Sequence, residues 1–164
     1  MKSSDIKHPM TPAIQFLKDN NVEFHPHLYK YVERGGTSVS SKALGVSESL
    51  VIKTLIFEKE DQQPLVMLMH GDKQVSLKEL ARQIGCKLIT PCQPEVAQRH
   101  SGYQVGGTSP FGLRKKLPIY LEASVGELKE VFINGGGRGF LVRLRTSDLM
   151  RVLNPQLVVV AQAK

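Results

Sequence analysis

Tryptophan is absent from the 164 residues, and six Phe and four Tyr are the only Phe, Trp or Tyr residues present. A protein that reads single strands by stacking bases on a sheet needs more aromatic faces than that, so this binding class is poorly supported. Cysteine is equally scarce. Cys86 and Cys92 are the only two, and no second pair or adjacent histidine completes a zinc spacing, which argues against disulfide scaffolds and zinc ribbons. No run approaches the roughly 18 consecutive apolar residues that a membrane span requires. The first ten residues carry Lys2, Asp5 and Lys7 without the apolar stretch of a secretory signal. A cytoplasmic protein with no membrane partner is the expectation. Also missing are a Gly-x-Ser-x-Gly elbow, a Walker loop and a dinucleotide fingerprint. Nothing in the sequence joins Ser109 to His70 or His100 as a hydrolytic triad.

What the chain does have is basic charge and regular patterning. Twenty-two Lys and Arg against fifteen Asp and Glu give a net charge of +7, which favours a polyanionic partner without identifying it. The length suits one compact domain with one sizeable core. Thr11-Pro12, followed by an apolar stripe through Ala13, Ile14, Phe16 and Leu17, predicts a capped first helix ending at Asn20-Asn21. Segment 22–32 alternates loosely around Pro26 and reads as an edge strand, 34–38 as a loop, and 38–44 as a short helix closed by Gly45. The runs 50–57 and 65–69 read as buried strands joined in a hairpin at 61–64. Ser76 with Glu79 predicts a capping box for a helix that Gly85 ends. Short elements follow at 87–90 (strand) and 94–100 (helix), then a glycine-rich segment at 102–112. Strands are expected at 119–123, 131–134 and 140–144, with a glycine hairpin between the last two, then a capped helix at 146–153 and a closing strand at 157–161. Interleaved helices with strand hairpins exclude an all-parallel sheet, so an α/β, mixed α+β fold is predicted, with a mixed sheet curled inside its helices.

Three segments could carry chemistry. Lys53 interrupts the apolar strand 50–57; an ammonium there either escapes to solvent or faces a pocket where it meets a phosphate or a developing negative charge. Gly106-Gly107, within 102–112, lets the main chain approach a ligand and offer its N–H groups, although as a bare pattern a plain tight turn is the stronger reading. Asn134-Gly135-Gly136-Gly137-Arg138-Gly139 presents one guanidinium on a flexible turn, either to a phosphate or base or merely to water. The spacing of His25-Pro26-His27 resembles a metal pair, but no carboxylate cluster accompanies it.

In this order, the three segments resemble the YbaK family of prolyl-tRNA synthetase-associated editing domains. Val51-Ile52-Lys53-Thr54-Leu55 is similar to the family's lysine-bearing strand, 105–112 to its Gly-Gly-x-Ser-Pro loop, and 134–139 to its Gly-Gly-x-Arg-Gly turn. The Met10-Thr11-Pro12-Ala13 start, His27-Leu28-Tyr29, Gly71-Asp72-Lys73 and 113–118 also fit, so the resemblance covers 10–164 as one domain and leaves 1–9 as a flexible leader.

The resemblance implies a barrel-like curl of the sheet and an aminoacyl-tRNA deacylase acting in trans on mischarged tRNA, with tRNA(Pro) as carrier and cysteine, or else alanine, as the amino acid removed. It implies catalytic roles for Lys53 and Gly106, and substrate contacts from Tyr29, Thr54, Gly107, Ser109, Pro110, Asn134, Gly135 and Arg138. The partners implied are aminoacyl-tRNA and, in a transient complex, prolyl-tRNA synthetase; no metal and no cofactor are expected. In this branch the substrate supplies its own nucleophile, so the protein orients the ester and stabilises charge. Arg34-Gly35-Gly36-Thr37 stands where the branch has a pocket phenylalanine, and the glycine turn lacks the second basic residue before Arg138. Those departures leave the admitted side chain open, because one methylene discriminates by only about 1–3 kcal/mol. A non-catalytic tRNA- or nucleotide-binding module, or a synthetase-docking partner of the same fold, remains the alternative.

Overall fold

A computed structural model of the chain describes residues 7–164. Most of the expected leader 1–9 lies outside the described residues, but His8 stacks on Phe140 with ring centroids 5.8 Å apart. The first helix, α1 (Pro12–Asp19), is capped by Thr11, whose hydroxyl accepts from Ile14 N–H and donates to the Gly135 carbonyl at 2.5 Å. One side chain therefore satisfies an orphan helix amide and ties α1 to the glycine turn. α1 buries Ala13, Ile14 and Leu17 completely.

Among the described residues, five α-helices accompany a mixed sheet. After β1 (His25–Leu28) come α2 (Gly36–Leu44), β2 (Val51–Lys59), β3 (Pro64–His70), β4 (Lys73–Val75), α3 (Leu77–Ile84), β5 (Ile89–Pro91) and α4 (Pro94–Ser101). The chain continues through β6 (Ile119–Glu122), β7 (Glu130–Gly137), β8 (Phe140–Arg145), α5 (Thr146–Leu153), β9 (Gln156–Val158) and β10 (Ala161–Ala163). The main sheet runs β1-β8-β7-β2-β3-β6-β9, with β5 also on β2 and a separate β10-β4 ladder. Pairs β2-β7, β3-β6 and β6-β9 are parallel and the rest antiparallel, which bears out a mixed sheet. Pro26 sits on edge strand β1, where its missing N–H costs no central ladder bond.

β2 is central, and its alternation builds the site. Ile52 and Ile56 point into the main core with α1 and α5 residues. Val51, Lys53, Leu55 and Phe57 share the opposite face by the two-residue period of a strand. There Val51 packs with Phe132 and Leu141, while Phe57 joins a second cluster with Leu65, Met67 and Met69. Lys53 stands between these two apolar clusters.

Several local expectations shift. The segment expected as a loop at 34–38 already contains the start of α2, because Gly36 enters the helix at φ +61 and Gly35 packs against Val39. Only half of the capping box forms: Ser76 accepts from Glu79 N–H, but Ser76 N–H goes to Val160 O and the Glu79 carboxylate to Arg82. β7 runs on to Gly137 through a bulge after Asn134, so the turn to β8 is shorter than the glycine run. β4 had no sequence signal beyond three residues of mixed character.

The closing strand expected at 157–161 is two strands in two ladders, and a buried carboxylate explains the break. Glu122, 3% exposed, accepts from Val160 N–H at 2.7 Å and Ala161 N–H at 2.9 Å, turning the chain between β9 and β10. Its other oxygen lies 3.2 Å from Ser124 Oγ, which is 2.8 Å from His70 Nε2, while His70 Nδ1 donates to Ser49 O at 2.7 Å. His70 thus belongs to this structural network. Removing the carboxylate with Glu122→Ala orphans two backbone amides; a loss of about 3 kcal/mol is expected, read as a lower urea midpoint at unchanged slope.

Candidate functional site

A hollow of about 670 Å³ opens between α2, the Lys53 face of β2, the 102–112 loop and the β7-β8 turn. Tyr29, Lys53, Thr54, Gly106, Asn134 and Arg138 all line it. Lys53 is half-buried, and its pKa is held below the ordinary lysine range, first by loss of hydration and then by the neighbouring Lys164 ammonium, with Glu48 and Asp72 opposing. Glu48 accepts from Thr37 Oγ1 at 2.7 Å and lies 3.5 Å from Lys164 Nζ. Thr54 Oγ1 is buried without a hydrogen-bond partner among the described residues.

The same lining holds a peptide with one free donor. Arg138 Nε donates to Val105 O at 3.0 Å, and Asn134 Nδ2 donates to Gly106 O at 3.3 Å. Gly107 N–H is taken by Gln104 O at 2.8 Å. Gly106 N–H, trans to the clamped Val105 carbonyl, meets no acceptor among the described residues. Gly106 has φ +91, and a Cβ there would come within 2.6 Å of Tyr31 Oη. The position therefore demands glycine twice over, for backbone conformation and for close approach. Asn134 Oδ1 also accepts from Gly136 N–H at 2.6 Å and Gly137 N–H at 3.0 Å, so one side chain holds both glycine segments. The Arg138 guanidinium carbon sits 5.0 Å from the Tyr31 ring centroid, a cation–π contact that braces it over the rim.

The remaining predicted residues lie behind this wall. Gly107 is buried, with a Cβ position 2.9 Å from the Arg138 backbone, and Gly135 abuts the Phe140 ring. Ser109 is fully buried and its hydroxyl accepts from Phe111 N–H, while Pro110 is buried beside it. None of these four is on the lining; they fix the loop that presents Gly106. The two histidines of 25–27 part company, His25 towards Glu23 at 3.5 Å and His27 against the Phe132 ring at 5.5 Å. Tyr29 donates its backbone N–H to Gly139 O at 2.9 Å, and burial raises its phenol pKa. Tyr31 also lines the hollow without having been singled out, as do Thr37 and Val105, which were named only within longer segments. The Tyr29-Lys30-Tyr31 alternation was the one available signal for Tyr31.

The model of the aminoacyl-tRNA editing domain matches residues 36–152. The chain belongs to the aminoacyl-tRNA editing domain family. An Enterococcus faecalis protein named "Putative Cys-tRNA(Pro)/Cys-tRNA(Cys) deacylase EbsC" is 24% identical over 147 residues, covering 89% of this chain and 90% of the relative. A proline–tRNA ligase of Levilactobacillus brevis is 27% identical over 108 residues, 65% of this chain but 19% of the ligase, so the likeness is to one part of that enzyme. A crystal structure described as "a putative trans-editing enzyme for prolyl tRNA synthetase" superposes with TM-score 0.81 at 20% identity, over 95% of this chain and all of that one. Family and YbaK-type fold thus agree with the resemblance read from the motifs. No helix among the described residues is long and apolar enough to cross a membrane.

Proposed function

We propose that this member of the editing family is a deacylase acting in trans: it removes a wrongly attached amino acid, cysteine first and alanine second, from tRNA, with tRNA(Pro) as the carrier. The observation that carries the reading is one hollow lined both by the half-buried Lys53 ammonium and by the unengaged Gly106 N–H. An aminoacyl ester at a tRNA 3′ end has two features to grip, a polyanionic ribose-phosphate and a carbonyl that gains negative charge on attack. Lys53, with Thr54 beside it, suits the terminal nucleotide, and Arg138, whose terminal nitrogens meet no acceptor among the described residues, suits an adjoining phosphate. Gly106 N–H suits the carbonyl oxygen. Tyr29 and Asn134 contribute to the surrounding wall.

The hollow's chemistry is positional. For a cysteinyl ester, the substrate thiol attacks its own carbonyl, the C–O bond to the ribose breaks, and the thiol proton passes to the departing ribose oxygen, leaving a thiolactone for water to open. Alignment of thiol and carbonyl then provides the rate, an effect worth several kcal/mol without a protein nucleophile. A transient complex with prolyl-tRNA synthetase would supply the charged tRNA.

Incubation with Cys-, Ala- and Ser-charged tRNA(Pro) is the test. Ester loss fastest from the cysteinyl form is expected. Tight, salt-sensitive binding with no ester loss from any of the three would instead select a non-catalytic tRNA-binding module, and the proposal would fail.

A further inference from the structure

We propose that Glu58, Cys92 and His100 form a binding site for a borderline-soft divalent cation of the zinc class at the α4 end of the hollow. The three side chains come from different elements and converge: one ligand atom of each lies within 4.8 Å of the other two. Glu58 pairs with Thr90 across the β2-β5 ladder, and Cys92 N–H donates to Ile56 O at 3.2 Å, which seats the cysteine just beyond β5 and next to the carboxylate. Pro94 then starts α4, whose last turn brings the buried His100 ring back, with Nε2 3.2 Å from Glu58 Oε2. Thiolate, imidazole and carboxylate are the three donor types of tetrahedral zinc sites, and three protein ligands leave one position open. Cys92 also lines the hollow, together with Pro91, Pro94 and Ala97, whereas Glu58 and His100 lie behind that lining.

The protons balance without a further reactant. The ion binds Cys92 as thiolate and the thiol proton goes to water, as for any cysteine ligand. His100 Nε2, which now donates to Glu58, passes its proton to Nδ1 when it becomes a ligand. At Nδ1 stands the Lys115 ammonium, 3.2 Å away, and a protonated Nδ1 can no longer accept from it. Lys115 is exposed and free to swing into solvent. The lysine is therefore a competitor of the ion, a role no purely structural Glu58–His100 hydrogen bond would give it. The site is independent of the editing reading.

The experiment is a Co2+ titration of the purified, metal-stripped protein, followed by displacement with Zn2+. Expected are one ion per chain, a thiolate-to-cobalt charge-transfer band with tetrahedral d–d absorption, and no displacement by Mg2+ or Ca2+. Cys92→Ser should remove the band and Cys86→Ser should keep it. Lys115→Met removes a cation that the ion would have to displace from Nδ1 and should tighten cobalt binding by about tenfold, the lower end of the roughly 10- to 100-fold scale on which outer-shell groups move metal affinity. Should Cys92→Ser fail to fold, His100→Gln serves in its place, with loss of the d–d intensity expected. The absence of any thiolate–cobalt band, a charge-transfer band that survives Cys92→Ser, or tetrahedral d–d absorption that survives His100→Gln overturns the proposal. Cobalt affinity unmoved by Lys115→Met overturns the assignment of Nε2 as the ligand atom.

Discussion

Replacing Lys53 with alanine is expected to slow ester loss from cysteinyl-tRNA by about 10²- to 10³-fold, the usual scale for deleting one preorganised charge-stabilising donor. The fold should not suffer in parallel. Burial and Lys164 lower the Lys53 pKa in the folded chain, so folding weakens its hold on the proton. A lysine shifted in that direction costs stability while the pH is below its folded-state pKa, and the cost disappears once the pH has passed the unfolded-state value. At neutral pH, Lys53→Met should therefore leave the thermal midpoint unchanged or raise it while removing activity. The wild-type rate, corrected for spontaneous ester hydrolysis, should fall as pH rises through a pKa below the ordinary lysine range, because the ammonium is the working form. A variant with full activity, or one whose lost activity tracks lost folded protein, would remove Lys53 from the mechanism.

The second large effect is expected at Gly106. An alanine there must keep φ near +91 and place its methyl group 2.6 Å from Tyr31 Oη, so either the loop or the tyrosine moves. Tyr31 in turn carries Arg138, and Arg138 clamps the Val105 carbonyl that sets the direction of the Gly106 N–H. A displacement of about 1 Å at such a donor costs on the order of 10²-fold in rate. The expected outcome for Gly106→Ala is that loss in single-turnover deacylation, with a destabilisation of about 1–2 kcal/mol. Gly85→Ala supplies the control: its φ is +82, but an added Cβ meets nothing within 4 Å. It should show similar backbone strain and full activity. Equal activity in the two variants would mean that the Gly106 amide has no part in holding the ester.

Both positions drew notice in the sequence for physical reasons, although a solvated lysine and a plain tight turn were the stronger readings of the bare patterns. A lysine inside an apolar strand is costly unless something receives it, and paired glycines in a loop are costly unless the main chain needs their freedom. Helix boundaries at Thr11-Pro12, Gly45 and Gly85 were legible because capping is local chemistry. What stayed hidden depends on partners distant in sequence. The break between β9 and β10 is dictated by Glu122, on β6, and nothing in 156–163 announces it. Ser109 reads as a candidate ligand contact in the motif, yet its side chain faces inward, and only the packing of the loop against α1 decides that direction. Glu58, Cys92 and His100 form no recognisable spacing, since three elements must fold before they meet.

The strand order has a consequence during synthesis. β2 finds β3 by a hairpin, but its other main-sheet partner, β7, and β3's partner, β6, lie far downstream, and both pairings are parallel. Pairings of that kind raise contact order and retard folding. A ribosome-bound chain that has emitted only the Lys53 strand and its hairpin therefore exposes a raw apolar edge with no cleft beside it. The ability to grip an ester would emerge abruptly, near the end of translation, and not grow in step with chain length.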